Sequence, residues 1–190
     1  MPAARDRSRS HLRQLGASRR QSKKETTMLA GMYLKVNGKA QGAIRGSVVQ
    51  DNHDGKIHIH AFKHDYDMPA KLQEGMTPGG NARGVLTLTK EMDQSSPQFL
   101  QALGKRETLT DFELEIYRPT LEGTGGTKLE FTLKLQGVLV VHIAQYSRKP
   151  HDEGSDGVLG HMEDISFAYQ GFQMEHKLSG VSGDASWTDG

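Results

Sequence analysis

The histidines between residues 53 and 64 are the side chains of this sequence with the clearest capacity for chemistry. His58 and His60 are two positions apart, and on a strand that spacing puts both imidazoles on one face, as a metal site requires. His64 falls on the same predicted face, Asp65 could add a carboxylate, and His142 is a distant candidate for a further ligand. The pattern is compatible with a metal site carried by a strand.

Two interpretations of these histidines compete. A cupin-type site uses a similar His-x-His followed by a Glu and a distant His, so one alternative is a cupin-like metal-binding β-barrel enzyme that uses His58 and His60. Here Asp65 stands in place of that Glu, and no matching second motif follows. The other interpretation, which we favour because ligand spacing alone is weak evidence, is that the imidazoles face water or a neighbouring subunit.

The sequence carries no other pattern typical of an active site. Glu113 and Glu115 alternate with apolar residues, as on the solvated face of a strand. His161 is followed by Glu163 and Asp164, but the second His of a His-Glu-x-x-His zinc motif is missing. A Gly-x-Ser-x-Gly elbow and a phosphate-binding loop are also absent. We therefore predict no catalytic residues, no cofactor and no enzymatic activity.

Length and composition are those of one globular domain with a short appendage. The 190 residues carry a formal charge of +1 and no cysteine, which excludes a disulfide scaffold, a thiolate nucleophile and a cysteine-ligated metal. The longest Val/Leu run, residues 138–141, is far below the roughly 18 apolar residues of a spanning helix. The start has no apolar segment of the signal-peptide type. The sequence predicts neither membrane insertion nor an ordinary secretory signal.

The charge is distributed unevenly along the chain. Residues 1–27 hold eight Arg or Lys and two acidic residues, a net charge of +6, which leaves −5 for residues 28–190. The first segment has no Val, Ile or aromatic residue to bury, so we interpret it as a disordered basic extension, or as the result of a start assigned upstream of Met28. A nucleic-acid-binding arm and a transit peptide are the alternatives. The acidic 28–190 domain argues against nucleic acid as a partner.

From Met32 onward, apolar and polar side chains alternate as they do in half-buried strands. The clearest case is Thr127–Gln136, where four apolar residues share one face. Val138–Tyr146 is apolar on both faces apart from His142, which is typical of a covered strand or of a contact surface. The predicted strands are Met32–Asn37, Ile44–Gln50, Lys56–His64, Gly84–Lys90, Asp111–Tyr117, Thr127–Gln136, Val138–Tyr146 and Met162–His176.

One short helix interrupts the predicted strands, at Ser96–Gly104. Ser96 is a good N-cap, Pro97 suits the first helical position, and Gly104 suits the position after the C-cap. About eight strands with turn signals between them and a single helix predict a mainly β fold, either a β-barrel or a two-sheet sandwich. Unpaired strand edges in such a fold favour association with another chain.

Four stretches of the sequence, in order along the chain, are similar to motifs of one known family. They are FKHDYDMP at Phe62–Pro69, LTLTKEMDQSSPQFLQAL at Leu86–Leu103, ELEIYRP at Glu113–Pro119, and the C-terminal pair ISFAYQGFQMEH and SGVSGDASW. They resemble the haemolysin-coregulated protein (Hcp) family, the inner-tube subunits of the bacterial type VI secretion system. The resemblance covers Met28 to Trp187.

The resemblance implies a two-sheet β-barrel with the helix packed alongside. It also implies a homo-hexameric ring that stacks into a tube, with a tip spike protein, a contractile sheath and small effectors in the lumen as partners. The protein would be made in the bacterial cytoplasm and exported through the type VI system without a signal peptide.

Two sets of residues follow as candidates for contacts within the assembly. The family's long loop between early strands reaches toward the next ring, and by position it corresponds to about Phe62–Arg83. Its candidate ring-stacking residues are Phe62, His64, Asp65, Tyr66, Met68 and Arg83. The strand that is apolar on both faces supplies candidates for ring closure, namely Val138, Val140 and His142.

Overall fold

A computed structural model describes residues 31–65, 84–120, 126–147 and 160–186. Within those ranges the chain forms eleven strands and one helix, which confirms the mainly β fold. No helix in them is long and apolar enough to cross a membrane. In chain order the elements are β1 Met32–Gly38, β2 Gly42–Ile44, β3 Ile57–Ile59, β4 Ala61–Asp65, β5 Val85–Glu91, α1 Ser96–Lys105, β6 Thr108–Pro119, β7 Thr127–Gln136, β8 Val138–Ser147, β9 His161–Ala168, β10 Gly171–His176 and β11 Val181–Ser186.

The strands form one antiparallel sheet that curls into a half-barrel. Its first half runs β11-β10-β7-β6 and continues through β1 to β2 and β3, and its second half runs β8-β9-β5-β4. The chain crosses between the halves four times, at His60, through α1 between β5 and β6, at Gly137 and at Gln170. Because successive side chains of a strand point to opposite faces, the strands with alternating apolar residues place their apolar face inside the curl.

The core fills the space inside the curled sheet. Phe167 of β9 lies edge-on to Phe112 of β6, with ring centroids 5.1 Å apart, and edge-on to Phe99 of α1 at 5.8 Å. These rings join the two halves and the helix in one cluster. Leu133 and Leu135 of β7 belong to the same core, as their alternation predicts.

The helix begins at the predicted residue but ends one residue later, at Lys105. The predicted capping roles are wrong at both ends. Ser95 is the N-cap residue, and Ser96 instead donates its hydroxyl to the buried Glu163. At the other end Arg106, with φ of 51°, adopts the left-handed conformation, while Gly104 stays in the last turn. The helix continues because Leu103 and the last turn pack beside β8.

Several predicted strand limits are wrong where the backbone changes partners. Lys56–His64 divides at His60, because β3 pairs with β1 whereas β4 pairs with β5. Met162–His176 divides at Gln170, one residue before the glycine that predicted a bend. Residues 45–50 form a loop instead of the predicted strand. The sequence analysis missed β11, which lacks apolar alternation and is held by its ladder to β10.

Candidate assembly surfaces

Strand β8 presents its two faces to different surroundings. Val138 and Val140 are buried in the core, so these two candidates for ring closure face the interior of their own subunit. The outer face carries Leu139, Val141, which is 47% exposed, and His142. The ladder with β9 shifts register between Val140 and His142, so Val141 forms a bulge. The side chains that this part of β8 offers to another molecule are therefore Leu139, Val141 and His142, and not the buried valines.

A groove of about 520 Å³ lies between the end of α1 and the start of β8. It is lined by Leu103, Arg106, Leu139, Val140 and Val141, and we call it the α1–β8 groove. Three of these residues present apolar side chains that are wholly or partly exposed, and Arg106 supplies a cation. A concave apolar surface with one charged group at its margin is suited to receive an apolar side chain from another chain.

From Val140 to Gln145, one edge of β8 has no strand partner among the described residues, and we call this segment the free edge. β8 pairs with β6 only at Val138 and Leu139, while its other edge pairs with β9 from Leu139 to Ser147. An unpaired edge leaves backbone N–H and C=O groups available for another segment. The free edge and the α1–β8 groove together make this side of the subunit a candidate contact surface.

A buried polar cluster fixes α1 against the sheet and so fixes the groove. Lys90 of β5 donates to Glu163 of β9 (Nζ to Oε1, 2.8 Å) and to Asp93 (Nζ to Oδ1, 2.8 Å). Ser96 at the start of α1 and Gln145 of β8 donate to the two oxygens of the same Glu163 carboxylate, at 2.7 Å and 3.0 Å. Lys90 is 1% exposed and Glu163 is fully buried. Charged hydrogen bonds to Lys90 and Ser95 hold the pKa of Asp93 below its usual value, although burial opposes them.

The candidate ring-stacking residues fall into three groups: exposed residues, one residue turned toward its own subunit, and residues outside the described ranges. Phe62 and Asp65 are exposed on β4, and Asp65 pairs with Lys63. His64 turns toward its own subunit: Nε2 lies 2.5 Å from the hydroxyl of Tyr169, the imidazole meets Phe172 edge-on, and burial lowers its pKa. The candidates Tyr66, Met68 and Arg83 lie outside the described residues.

The metal-site alternative required His58, His60 and His64 to share one strand face, and the structure does not bring the three together. The rings of His58 and His60 are 4.7 Å apart between centroids, but His64 lies elsewhere because the backbone passes to the second half of the sheet at His60. Burial and the neighbouring His60 lower the pKa of His58, while His60 Nε2 is 3.7 Å from Glu91 Oε1. Among the residues that the structure describes, no group of three His, Asp or Glu side chains could hold a metal ion.

The sequence analysis missed an ordered loop at residues 45–56, which we call the 45–56 loop. Its backbone is tied by Gly46 N–H to Gly55 C=O (3.0 Å), Gly55 N–H to Val48 C=O (2.9 Å) and His53 N–H to Gln50 C=O (2.9 Å). Near its tip Val49 is 90% exposed. Asn52 and Gly55 both adopt positive φ, and Asn and Gly are the residue types that favour it, so they were the available signal for a turn. The apolar pair Val48-Val49 made the segment resemble a strand instead.

Side chains anchor the 45–56 loop to the barrel. His53 stacks on Tyr33 with centroids 3.9 Å apart, and it meets Tyr117 edge-on at 4.9 Å. Lys56 donates to Glu115 (Nζ to Oε2, 2.6 Å), and the hydroxyl of Tyr117 donates to the same oxygen at 3.0 Å. Burial and the nearby Lys56 lower the pKa of His53, so its imidazole is neutral near pH 7. The loop is thus a rigid projection from the barrel.

The fold and the surface define the class of protein, a β-rich subunit that associates with other chains. Its exposed groove, its projecting loop and the free edge of β8 are all features through which another chain can bind. A family model described as "Type VI secretion system effector, Hcp" matches residues 33–176. The chain belongs to the Hcp family.

Individual relatives agree with this assignment. The chain is 29% identical over 169 residues to the "Major exported protein" of Pseudomonas aeruginosa, covering 84% of this chain and 96% of that one. It is 26% identical to a structure of the secreted protein Hcp3 from Pseudomonas aeruginosa, with a TM-score of 0.63 over 84% of this chain and 99% of the other. A crystal structure of an Hcp protein, 23% identical, shares the fold with a TM-score of 0.74 over 85% and 99% of the two chains.

The family settles the broad class of function. The chain is a structural tube subunit of the type VI secretion system and not an enzyme. The cupin-like alternative with His58 and His60 has no support. The resemblance stated from the sequence motifs is confirmed.

Proposed function

We propose that this chain closes into homo-hexameric rings through the α1–β8 groove and the free edge of β8, and that the rings stack into the propelled inner tube. The observation that carries ring closure is the exposed apolar groove beside an unpaired strand edge, in a chain of a tube-forming family. Ring closure needs a contact of this kind, because burial of apolar surface supplies most of the free energy of association.

Stacking between rings uses the exposed side chains of β4 and the segment that follows it. Phe62 and the Lys63–Asp65 pair are exposed there, whereas His64 is held within its own subunit. The rings would carry small effectors in their lumen and would meet a spike protein at the tip and a contractile sheath outside. The chain would leave the bacterial cytoplasm through the same system.

A single charge in the groove tests ring closure. Val141→Glu puts a carboxylate where apolar surface is to be buried, and we expect the concentration for half-dissociation of the ring to rise at least about tenfold, the factor that corresponds to about 1.4 kcal/mol. Sedimentation velocity over a concentration series measures this shift.

The matched control is Val181→Glu, the same substitution at an exposed position of β11. It should leave the ring unchanged, and at a concentration too low for rings to form both variants should keep the wild-type urea midpoint, because neither side chain is buried in the subunit. Rings of unchanged stability in Val141→Glu would exclude the groove as the closing contact. A wild-type protein that stays monomeric at high micromolar concentration would exclude ring closure altogether.

A further inference from the structure

We propose that the α1–β8 groove receives the 45–56 loop of the neighbouring copy, with Val49 as the side chain that enters it. This inference rests on the proposed ring closure and names both surfaces of the contact. The partner is a second copy of this chain, bound head to tail.

Shape supports this pairing. Val49 is 90% exposed, the highest exposure of any large apolar side chain among the described residues. It projects from a loop that is tied by its own backbone hydrogen bonds and is anchored to β1 by His53, which stacks on Tyr33. A side chain presented by a rigid loop loses little conformational freedom on docking, which favours binding. The groove offers about 520 Å³ lined by Leu103, Leu139 and Val141, enough for a valine together with neighbouring loop atoms.

Charge is complementary between the two surfaces. Between Val48 and Asp54 the loop has two exposed carboxylates, Asp51 and Asp54, and no Lys or Arg. At the groove, Arg106 lines the wall and Lys105 is exposed beside it. The loop's two cations are at its base, where Arg45 lies near Gly55 and Lys56 is paired with Glu115. Opposite charges around an apolar centre orient two copies and disfavour contacts of the loop with another loop.

The position of the two surfaces fits a ring. The start of the loop packs against one flank of α1, where the backbone N–H of Arg45 donates to Gln98 Oε1 at 3.3 Å. The groove lies beside Leu103, five residues further along the same helix. Five residues turn a helix by about 140° beyond one full revolution, so loop and groove occupy opposite flanks of α1. Two different surfaces on opposite flanks are what a head-to-tail contact needs to close into a ring.

Disulfide trapping tests the contact directly, because the chain has no cysteine of its own. Val49→Cys and Val141→Cys are made as separate proteins and as one double variant, and each preparation is oxidised with diamide at a concentration where wild type forms rings. We expect a cross-linked dimer from the mixture of single variants and a ladder reaching six subunits from the double variant. Each single variant alone should stay uncross-linked, and Val181→Cys mixed with Val49→Cys is the matched control.

The outcomes separate this inference from the function on which it rests. Rings that form without any cross-link between positions 49 and 141 would overturn loop docking while leaving ring closure intact. Cross-linking of Val49→Cys to itself would also overturn it, since it would show a symmetric contact. Wild type that forms no ring would refute the proposed function and this inference together.

Charge exchange gives a second measurement that needs no cross-link. Asp51→Lys with Asp54→Lys should raise the half-dissociation concentration of the ring at least tenfold, and adding Lys105→Glu with Arg106→Glu to the same chain should recover most of that loss. Failure of the second pair to recover any of the loss would count against the pairing of these charges.

Discussion

The most demanding residues of the fold are the two charges buried where α1 meets the sheet. Lys90 and Glu163 are removed from water, and each must be compensated by its partner and by neighbouring hydrogen bonds. Ser96, Asp93 and Gln145 supply those bonds from three further places in the chain. No pattern in the sequence pointed to this cluster, because Lys90 lies near the end of β5 and Glu163 near the start of β9, where either side chain could have faced water.

Removing one of these charges should be costly. Lys90→Met leaves the Glu163 carboxylate buried without its cation, and we expect it to lower the free energy of unfolding by about 3–5 kcal/mol, measured by urea denaturation. The double variant Lys90→Met with Glu163→Leu should recover much of that loss. Lys134→Met, which breaks the exposed Lys134–Glu113 pair, is the control and should cost less than about 1 kcal/mol. Equal losses in the two lysine variants would refute the special role of the buried pair.

The phenol of Tyr117 makes stability sensitive to alkali. Burial, together with the negative charge of Glu115, raises its pKa from the ordinary value near 10 to about 12. The folded state therefore retains a proton that the unfolded chain releases. Its contribution to stability is complete below pH of about 10 and is lost as the pH rises through about 12.

Tyr117→Phe should accordingly flatten the decline of the unfolding free energy between about pH 10 and 12, followed by urea denaturation at stepped pH. Tyr33→Phe should act in the same direction, because burial also raises the pKa of Tyr33. An alkaline decline as steep in Tyr117→Phe as in wild type would contradict this assignment.

At the scale of elements, alternation predicted the strands that keep one pair of neighbours along their length. Thr127–Gln136 is confirmed at both ends, since β7 pairs with β6 from Thr127 to Leu135 and with β10 from Phe131 to Gln136. The predictions failed where a segment changes partners, as at His60, or where pairing alone makes a strand, as in β11. Alternation records which face is buried, and it contains no information on which strand lies alongside.

The corner between β7 and β8 depends on a glycine. Gly137 has φ of 59°, and a Cβ there would also collide with the side chain of Gln170. We expect Gly137→Ala to lower the free energy of unfolding by more than about 1 kcal/mol, measured by urea denaturation. Gly180→Ala measures the cost of positive φ alone, because Gly180 has φ of 70° but no atom near the added methyl group. Gly183→Ala should leave the free energy of unfolding nearly unchanged, because Gly183 has neither positive φ nor a close neighbour. A loss at Gly137 no larger than at Gly183 would contradict the prediction.

At the scale of the whole molecule, the family and the class of function could be predicted from motifs, whereas the contact surfaces could not. Val138 and Val140 belong to a strand that the apolar pattern singled out, yet they face the core. The groove depends on the placement of α1 beside β8. The exposure of Val49 depends on the turns of the 45–56 loop, which the sequence analysis had interpreted as part of a strand because of the apolar pair Val48-Val49. The interpretation of residues 1–27 as a disordered basic extension concerns residues outside the described ranges and stays a prediction.

The four crossings, at His60, through α1, at Gly137 and at Gln170, bear on how a subunit responds to mechanical force. They join the two halves of the sheet covalently in four places, so the halves cannot slide past one another unless flanking strands rupture. Tension applied across the subunit is shared among these links and the hydrogen-bond ladders beside them, instead of peeling one terminal strand. A tube built from such subunits would transmit an axial force from ring to ring with little deformation of each subunit.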